Sequence, residues 1–216
     1  MKIAFLGDSL TEGWPGAAYL PLLARLRPRD GLLNHGRAGD TVSALLLRMR
    51  SAGLEPVDLA FVWVGANDAV MSAWDEAGED GATAEGSATG EGGGWGWGTR
   101  LARLCEDYEE LIEWTAARAA RLVCVRPLVL EAAGSVWEAR AAEIGDAVAA
   151  LAAGVSGAAT LDLRPAFASA AGRDQGPFTT DGVHFTDVGA AVVAAAFAAA
   201  IDDSDRGGAT APSKGG

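Results

Sequence analysis

The fold is decided by the stretch IAFLGDSL, residues 3–10. Its first four residues form a continuous apolar run, which is typical of a strand buried on both faces of a parallel sheet. The run ends at Gly7, and Asp8 and Ser9 follow at once. Because ligands of open parallel sheets bind outside the carboxyl ends of the strands, Ser9 stands where chemistry is expected. For this triplet alone, a turn capped by Asp8 and Ser9 is an equally good interpretation.

The same arrangement recurs along the chain. Further apolar runs predict strands at residues 32–34, 59–64, 122–125 and 160–163. Amphipathic segments separate these runs, and an alanine-rich helix is expected at 187–201. Strands that alternate with helices predict an α/β fold. We expect a single doubly wound, flavodoxin-like α/β/α domain with three layers, whose five-stranded parallel sheet has the order 2-1-3-4-5.

Composition indicates one domain. Half of the 216 residues are apolar, enough for one core. No basic residue occurs between Arg50 and Arg100, and residues 69–98 are rich in glycine and acids. We therefore predict a domain at 1–203 that contains a flexible insertion at 69–98, and a disordered tail at 204–216.

The charge and the apolar segments restrict partners and location. With 17 basic and 29 acidic residues the net charge is −12, which disfavours nucleic acids and anionic membranes. The start is too short for a signal-peptide core and the alanine-rich helix too short to span a bilayer. Cys105 and Cys124 lack metal-ligand spacing and lie in apolar patterns, so we expect buried, reduced thiols and a cytoplasmic protein without stable membrane insertion.

Four loops at one edge of the predicted sheet supply a set of hydrolytic residues. A serine is a weak nucleophile that needs a base, and the base needs a group that orients it. Both can come from the loop before the last helix, where His184 suits the role of base toward Ser9 and Asp181 that of the orienting group. The other histidine, His35, has no carboxylate at comparable spacing, so we interpret it as structural.

The same loops offer donors for the oxyanion that forms when a serine attacks a carbonyl. Preorganised N–H groups must meet that negative oxygen, and the backbone of Ser9, the backbone of Gly39 and the amide of Asn67 qualify. Each alone has another explanation: Gly39 and Asn67 are common turn residues, and Asp181 could be a solvated loop acid.

Taken together, these loops resemble a known family. The SGNH (GDSL) hydrolases carry four sequence blocks, which this chain matches in order with Gly7-Asp8-Ser9-Leu10, Ala38-Gly39-Asp40-Thr41, Gly65-Ala66-Asn67-Asp68 and Asp181-Gly182-Val183-His184. The resemblance spans nearly the whole chain. It implies a serine nucleophile, an oxyanion hole of Ser9, Gly39 and Asn67, and a small acyl ester or thioester substrate, without metal or organic cofactor. The pattern Gly-x-Ser-x-Gly of the other α/β-hydrolases is absent.

Other functions on this fold are weighed against the hydrolase. A receiver-type phosphoacceptor domain would hold Mg²⁺ with Asp8 and Asp68, but it also uses a lysine near the fifth strand, and the only lysines are Lys2 and Lys214. An FMN binder is disfavoured because Asp8 and Glu12 would repel phosphate. An acyltransferase or a catalytically silent binding module on the same fold stays open.

The predicted insertion begins directly after Asn67 and Asp68. Near its end, Trp95 and Trp97 stand between glycines. These indoles would be suited to a mobile lid over a substrate's acyl chain. The alternative is a linker whose tryptophans pack on the next helix, and both interpretations stay open.

Overall fold

The fold is centred on one parallel sheet. The computed structural model describes residues 1–77, 96–130, 134–171 and 176–208. The strand order is β2-β1-β3-β4-β5 and every pairing is parallel, which confirms the predicted order 2-1-3-4-5. The strands are β1 (Lys2–Gly7), β2 (Gly31–Gly36), β3 (Leu59–Trp63), β4 (Leu122–Val125) and β5 (Ala158–Leu161).

Helices cover both faces of the sheet. They are α1 (Ser9–Glu12), α2 (Leu20–Leu26), α3 (Val42–Ala52), α4 (Ala66–Ala77), α5 (Trp97–Ala116), α6 (Val136–Ala153), α7 (Arg164–Ala170) and α8 (Asp187–Gly208). Side chains of β1 alternate between the layers: Leu6 packs with α3, α5 and α6, whereas Phe5 packs with α2 and α8. The ring of Phe5 stacks on Phe61 of β3 at 5.1 Å. Both faces are buried, which explains the continuous apolar run.

The structure corrects several boundaries. Helix α4 occupies 69–77, at the start of the predicted insertion, because the helix formers Ala69 and Met71 precede the glycine-rich part. Helix α5 begins at Trp97, so residues 97–98 do not belong to the insertion either. Helix α8 continues to Gly208 and so includes the start of the predicted tail. Strand β5 begins two residues earlier than predicted. Helix α7, which was not predicted, follows it. Residues 78–95 and 209–216 lie outside the described residues.

The two thiols differ in their surroundings. Cys124 on β4 is buried as expected, whereas Cys105 on α5 is only partly buried, and neither forms a disulfide. Within the described residues, no helix combines the length and apolarity needed to cross a membrane.

Candidate active site

Ser9 lies in a tight turn directly after β1. The carboxylate of Asp8 caps α1 by accepting the N–H of Leu10 at 3.0 Å, so that helix begins with Ser9 itself. Gly7 has to be glycine, since a Cβ there would come within 2.3 Å of Thr11 Oγ1 and 2.4 Å of the Trp63 carbonyl oxygen. The turn holds Ser9 at the sheet edge with little freedom.

A relay of hydrogen bonds joins Ser9 to the loop before α8. Ser9 Oγ lies 3.1 Å from His184 Nε2, and His184 Nδ1 lies 2.7 Å from Asp181 Oδ2. An ionised carboxylate can only accept, so Nδ1 carries the proton and Nε2 is left to accept from the Ser9 hydroxyl. The structure thus brings together the three residues that the sequence proposed for nucleophile, base and orienting acid.

Asp181 also builds the loop that carries the base. Its second oxygen, Oδ1, accepts the backbone N–H groups of Val183 at 3.0 Å and His184 at 2.7 Å. Although partial burial raises the pKa of Asp181, the hydrogen bonds from the His184 ring and from the two backbone groups outweigh it and lower the pKa. Asp181 is therefore ionised at neutral pH and holds the imidazole in one orientation.

Residues 179–185, here called the base loop, are tied to their surroundings through the backbone. The Leu130 N–H donates to the Gly182 carbonyl at 2.7 Å, and the Ala17 N–H donates to the Phe185 carbonyl at 2.8 Å. Gly182 has a φ of +88°, and a Cβ there would lie 2.9 Å from the Leu130 carbonyl oxygen. The close approach to Leu130 thus depends on this glycine.

Gly39 lies on the loop that follows β2, and Asn67 lies in the first turn of α4, shortly after β3. Asn67 Nδ2 donates to the Asp40 carbonyl at 2.9 Å, which binds the two loops to each other beside Gly39. An amide nitrogen carries two N–H groups, so one remains after this bond. Gly39 has a φ of +83°, and the space where its Cβ would stand is open. We call residues 37–42 and 65–68 the donor loops.

Three residues that sequence analysis did not assign to the site hold the donor loops in place. Asp68 accepts the Val42 N–H, at 3.1 Å to its nearer oxygen, and so supplements the Thr41 cap of α3. Asp40 is buried and pairs with Arg48, whose Nε donates at 2.8 Å and Nη2 lies 2.7 Å away. Arg48 also donates to the His35 carbonyl at 2.8 Å, which gives His35 a structural role through its backbone.

Adjacency in sequence was a usable signal for the acids, since Asp8, Asp40 and Asp68 each adjoin a residue proposed for the oxyanion hole. Arg48 offers no such signal, because it stands within a helix and reaches the site only in the fold.

The buried carboxyls carry unusual electrostatics. Burial, reinforced by the nearby carboxylates of Asp68 and Asp40, raises the pKa of Asp8 to about 7. Burial also raises the pKa of Asp68 to about 6. With a pKa of about 7, Asp8 is largely protonated below neutral pH and then adds no negative charge beside Ser9. Among the described side chains, no group of three or more His, Cys, Asp and Glu is arranged to hold a metal ion.

Trp97 contacts the helix that packs beside it. Its indole N–H donates to Glu143 Oε2 at 2.8 Å, and the guanidinium of Arg140 lies 4.8 Å from the ring centre. Trp97 belongs to the first turn of α5 and contacts α6, whereas the packing alternative placed the tryptophans in a linker that packs on the next helix. Trp95 lies outside the described residues, so the lid remains a prediction.

Solved structures share this architecture. The crystal structure of LAE5, an alpha/beta hydrolase enzyme from the metagenome of Lake Arreo, Spain, is 22% identical, with a TM-score of 0.70 over 93% of this chain and 94% of that chain. An acetyl xylan esterase, AlAXEase, is 20% identical, with a TM-score of 0.68 over 93% and 100%. A lipase/acylhydrolase from Enterococcus faecalis is 20% identical, with a TM-score of 0.64 over 94% and 95%. At these identities the likeness establishes the fold.

Sequence comparison gives the family. A search of curated protein sequences finds no match. The model of the GDSL-like Lipase/Acylhydrolase family matches residues 5–192, a span that holds Ser9, both donor loops and the base loop. Because this match covers most of the chain and all of the candidate site, the chain belongs to the GDSL-like lipase/acylhydrolase family, whose members are serine ester hydrolases.

Proposed function

We propose that the protein hydrolyses carboxylic esters or thioesters of small molecules through an acyl-enzyme intermediate on Ser9. The observation that carries the proposal is the relay from Ser9 Oγ through His184 to Asp181, with contacts of 3.1 and 2.7 Å. A serine, a base and an orienting carboxylate in hydrogen-bond contact are the recurring arrangement of serine hydrolases on unrelated folds.

In the first half-reaction Ser9 Oγ attacks the carbonyl carbon and its proton passes to His184 Nε2. The carbonyl π electrons move to the oxygen, which becomes the oxyanion of a tetrahedral intermediate. When the intermediate collapses, the bond to the leaving group breaks and His184 returns the proton to the departing oxygen or sulfur. Asp181 stabilises the imidazolium that exists between these two transfers.

In the second half-reaction a water molecule replaces the leaving group. His184 takes a proton from the water as it attacks the acyl carbon, and a second tetrahedral intermediate collapses to release the acid. The proton returns to Ser9 Oγ, and the resting state is restored.

We assign oxyanion stabilisation to the backbone N–H groups of Ser9 and Gly39 and to the free N–H of Asn67 Nδ2. The open space beside Gly39 supports this assignment, because a substrate oxygen can approach that backbone without meeting a side chain. The bond from Asn67 to the Asp40 carbonyl supports it as well, since it fixes the amide before substrate arrives.

The direct test combines labelling with the Ser9→Ala variant. A fluorophosphonate probe should modify the wild type at Ser9 and leave the variant unmodified. The variant should fold normally and lose about 10⁴-fold or more in kcat toward p-nitrophenyl esters. Labelling at another residue, or wild-type turnover by Ser9→Ala, would overturn the proposal. A panel of acyl chains from acetyl to palmitoyl, with acyl-CoA beside it, defines the acyl group and separates esters from thioesters.

A further inference from the structure

One large aromatic side chain near the candidate site is left in solvent. Trp14 is 68% exposed, whereas Trp63 in the core is 2% exposed. Trp14 is also the one aromatic residue among the large apolar side chains found exposed in the described part of the chain; the others are Leu26, Leu47, Met71 and Val136. Indoles are usually well buried, so an exposed one in a structured loop calls for an explanation.

The loop that carries Trp14 is attached to both ends of the Ser9–His184 pair. On the serine side, the N–H groups of Gly13 and Trp14 reach the Ser9 carbonyl at 2.8 and 3.3 Å. On the histidine side, the Ala17 N–H donates to the Phe185 carbonyl at 2.8 Å. We call residues 13–17 the brace, because they join the nucleophile turn to the base loop.

The brace is packed too tightly to be a loose surface loop. A Cβ on Gly16 would lie 2.9 Å from the Phe185 carbonyl oxygen and 3.1 Å from His184 Cβ. A Cβ on Gly13 would lie 2.4 Å from Ala18 Cβ. The exposed indole of Trp14 therefore stands on a closely packed support that is hydrogen-bonded to the backbones of Ser9 and Phe185.

The proposed mechanism indicates which part of the substrate lies beside the brace. The leaving oxygen has to lie within hydrogen-bond reach of His184 Nε2 to receive its proton. The oxyanion must instead turn toward Gly39 and Asn67. Since the brace packs on His184 through Gly16, it flanks the side of the site where the leaving alcohol receives its proton.

We infer that Trp14 forms a stacking subsite for the alcohol portion of the substrate, and that this alcohol is a neutral ring, such as a sugar or an aryl group. The inference rests on the proposed ester hydrolysis. An indole presents a broad, flat, polarisable face, which a ring covers and a methyl or ethyl group does not. An anionic ring is disfavoured by the carboxylate of the neighbouring Glu12 and by the net charge of −12.

The test compares acetates that share the acyl group and differ in the alcohol: an acetylated methyl xyloside, phenyl acetate and ethyl acetate. For each ester, kcat/KM of Trp14→Ala is divided by that of the wild type, so the intrinsic reactivity of the ester cancels. We expect a loss of about tenfold on at least one cyclic ester, mainly in KM, and less than about twofold on ethyl acetate. Trp14→Phe should recover part of the loss. The cyclic ester with the larger loss identifies the ring as sugar or aryl.

Leu26→Ala is the matched control. Leu26 is also an exposed apolar residue, but it ends α2 beside Arg27, which pairs with Asp30 and so lies at the amino-terminal edge of the sheet. This variant should behave as wild type on all three esters. Equal losses of Trp14→Ala on cyclic and ethyl acetates, or no loss on any, would overturn the subsite.

A binding measurement keeps the subsite separate from the proposed reaction. In the Ser9→Ala background, which cannot turn over, saturation-transfer NMR with methyl xyloside and with phenol should show contact that Trp14→Ala removes. If the fluorophosphonate probe does not label Ser9 and no ester or thioester of the wider panel is hydrolysed, but this contact is present, the proposed function fails and the ring-binding site stands. If neither ring shows contact that depends on Trp14, the subsite fails whatever the enzyme hydrolyses.

Discussion

The base loop and the donor loops are built by opposite means. In the base loop, half-exposed Asp181 binds the ring and the backbone of a residue three positions away, so the bonds that orient the base are local. In the donor loops, buried Asp40 and half-buried Asp68 accept from Arg48 and Val42, which are 8 and 26 residues away along the chain. Local hydrogen bonds orient the proposed acid–base pair, whereas the proposed oxyanion donors depend on the packing of the sheet and α3. We therefore expect mutations in the two regions to differ in kind.

The largest losses of turnover should fall on the base loop. His184→Ala should lower kcat by on the order of 10⁴ to 10⁶, because no other group in the relay accepts the Ser9 proton. Asp181→Ala should cost about tenfold to a hundredfold less, since the imidazole remains but loses its orientation. Steady-state kinetics on p-nitrophenyl acetate measures both.

Asp187→Ala is the control for these two variants. Asp187 is an exposed acid three residues after His184, as Asp181 is three residues before it. Activity close to wild type is expected. If Asp187→Ala were as impaired as Asp181→Ala, the carboxylate assigned to the base would be wrong.

Arg48→Met should damage folding as well as turnover. It leaves the buried carboxylate of Asp40 without its cation, a change that typically costs about 3–5 kcal/mol of unfolding free energy. It also removes the donor to the His35 carbonyl and loosens residues 37–42, so kcat should fall by about tenfold or more. Urea unfolding and kinetics at a temperature where the variant is folded separate the two effects.

The control for Arg48→Met is a substitution at Arg50, two residues further along the same helix. Arg50 pairs with Glu110 at the surface, so Arg50→Met should cost less than about 1 kcal/mol and leave kcat unchanged. Equal destabilisation by the two variants would mean that burial of the Arg48–Asp40 pair does not determine the loss of unfolding free energy.

Asp8, buried in the turn that carries Ser9, and Asp181 of the base loop should give pH dependences of opposite sign. Between about pH 4 and pH 7 the folded protein keeps a proton on Asp8 that the unfolded chain has released. Unfolding free energy therefore falls as pH rises through that window, by at most about 4 kcal/mol from this group. Asp8→Asn should remove this decline, so the variant gains stability relative to wild type between pH 5 and pH 8, as followed by urea unfolding.

The pKa of Asp181 is lowered instead, so its contribution is present above the unfolded pKa and is lost as pH falls through the folded pKa. Asp181→Asn should accordingly lose stability relative to wild type at neutral pH, and the difference should shrink in acid. A pH dependence of the same sign for both variants would contradict the contrast between the buried and the half-exposed acid.

The smallest effect is expected at Asp68. Asp68→Ala removes the acceptor for the Val42 N–H and loosens the link between the donor loops, so kcat should fall by about tenfold with little change in KM. Asp68→Asn keeps an acceptor oxygen and should retain most activity at neutral pH. If the two variants were equally impaired, charge rather than the hydrogen bond would be the contribution of Asp68.

The contrast also explains which features the sequence could predict. Strands β1, β3 and β4 were recognised because burial on both faces produces continuous apolar runs. Strand β5 was placed two residues late because its start, Ala158-Ala159, carries little apolar signal, while Leu163 belongs to the start of α7. Helix α4 was concealed by the acidic, glycine-rich composition that follows it.

The candidate site divides in the same way. Asp181 and His184 were found because their spacing is local, and the structure places them in contact with each other and with Ser9. The partnership of Arg48 with Asp40 depends on how α3 docks beside β1 and β2, which no spacing along the chain encodes. Trp14 was missed because the sequence does not show that its loop packs against His184.

The double use of the Asp181 carboxylate bears on protein engineering. One side chain orients the imidazole and folds the turn that carries it, so the acid–base unit brings its own scaffold in a few consecutive residues. It is held to the rest of the molecule by two backbone hydrogen bonds, at Gly182 and Phe185, and by the buried ring of Phe185, which stacks on Trp63 and Phe167. A designer who transplants such a unit onto another parallel sheet would have to supply two N–H donors, room for a glycine and an aromatic pocket, whereas the proposed oxyanion donors could not be moved without the helix beneath them.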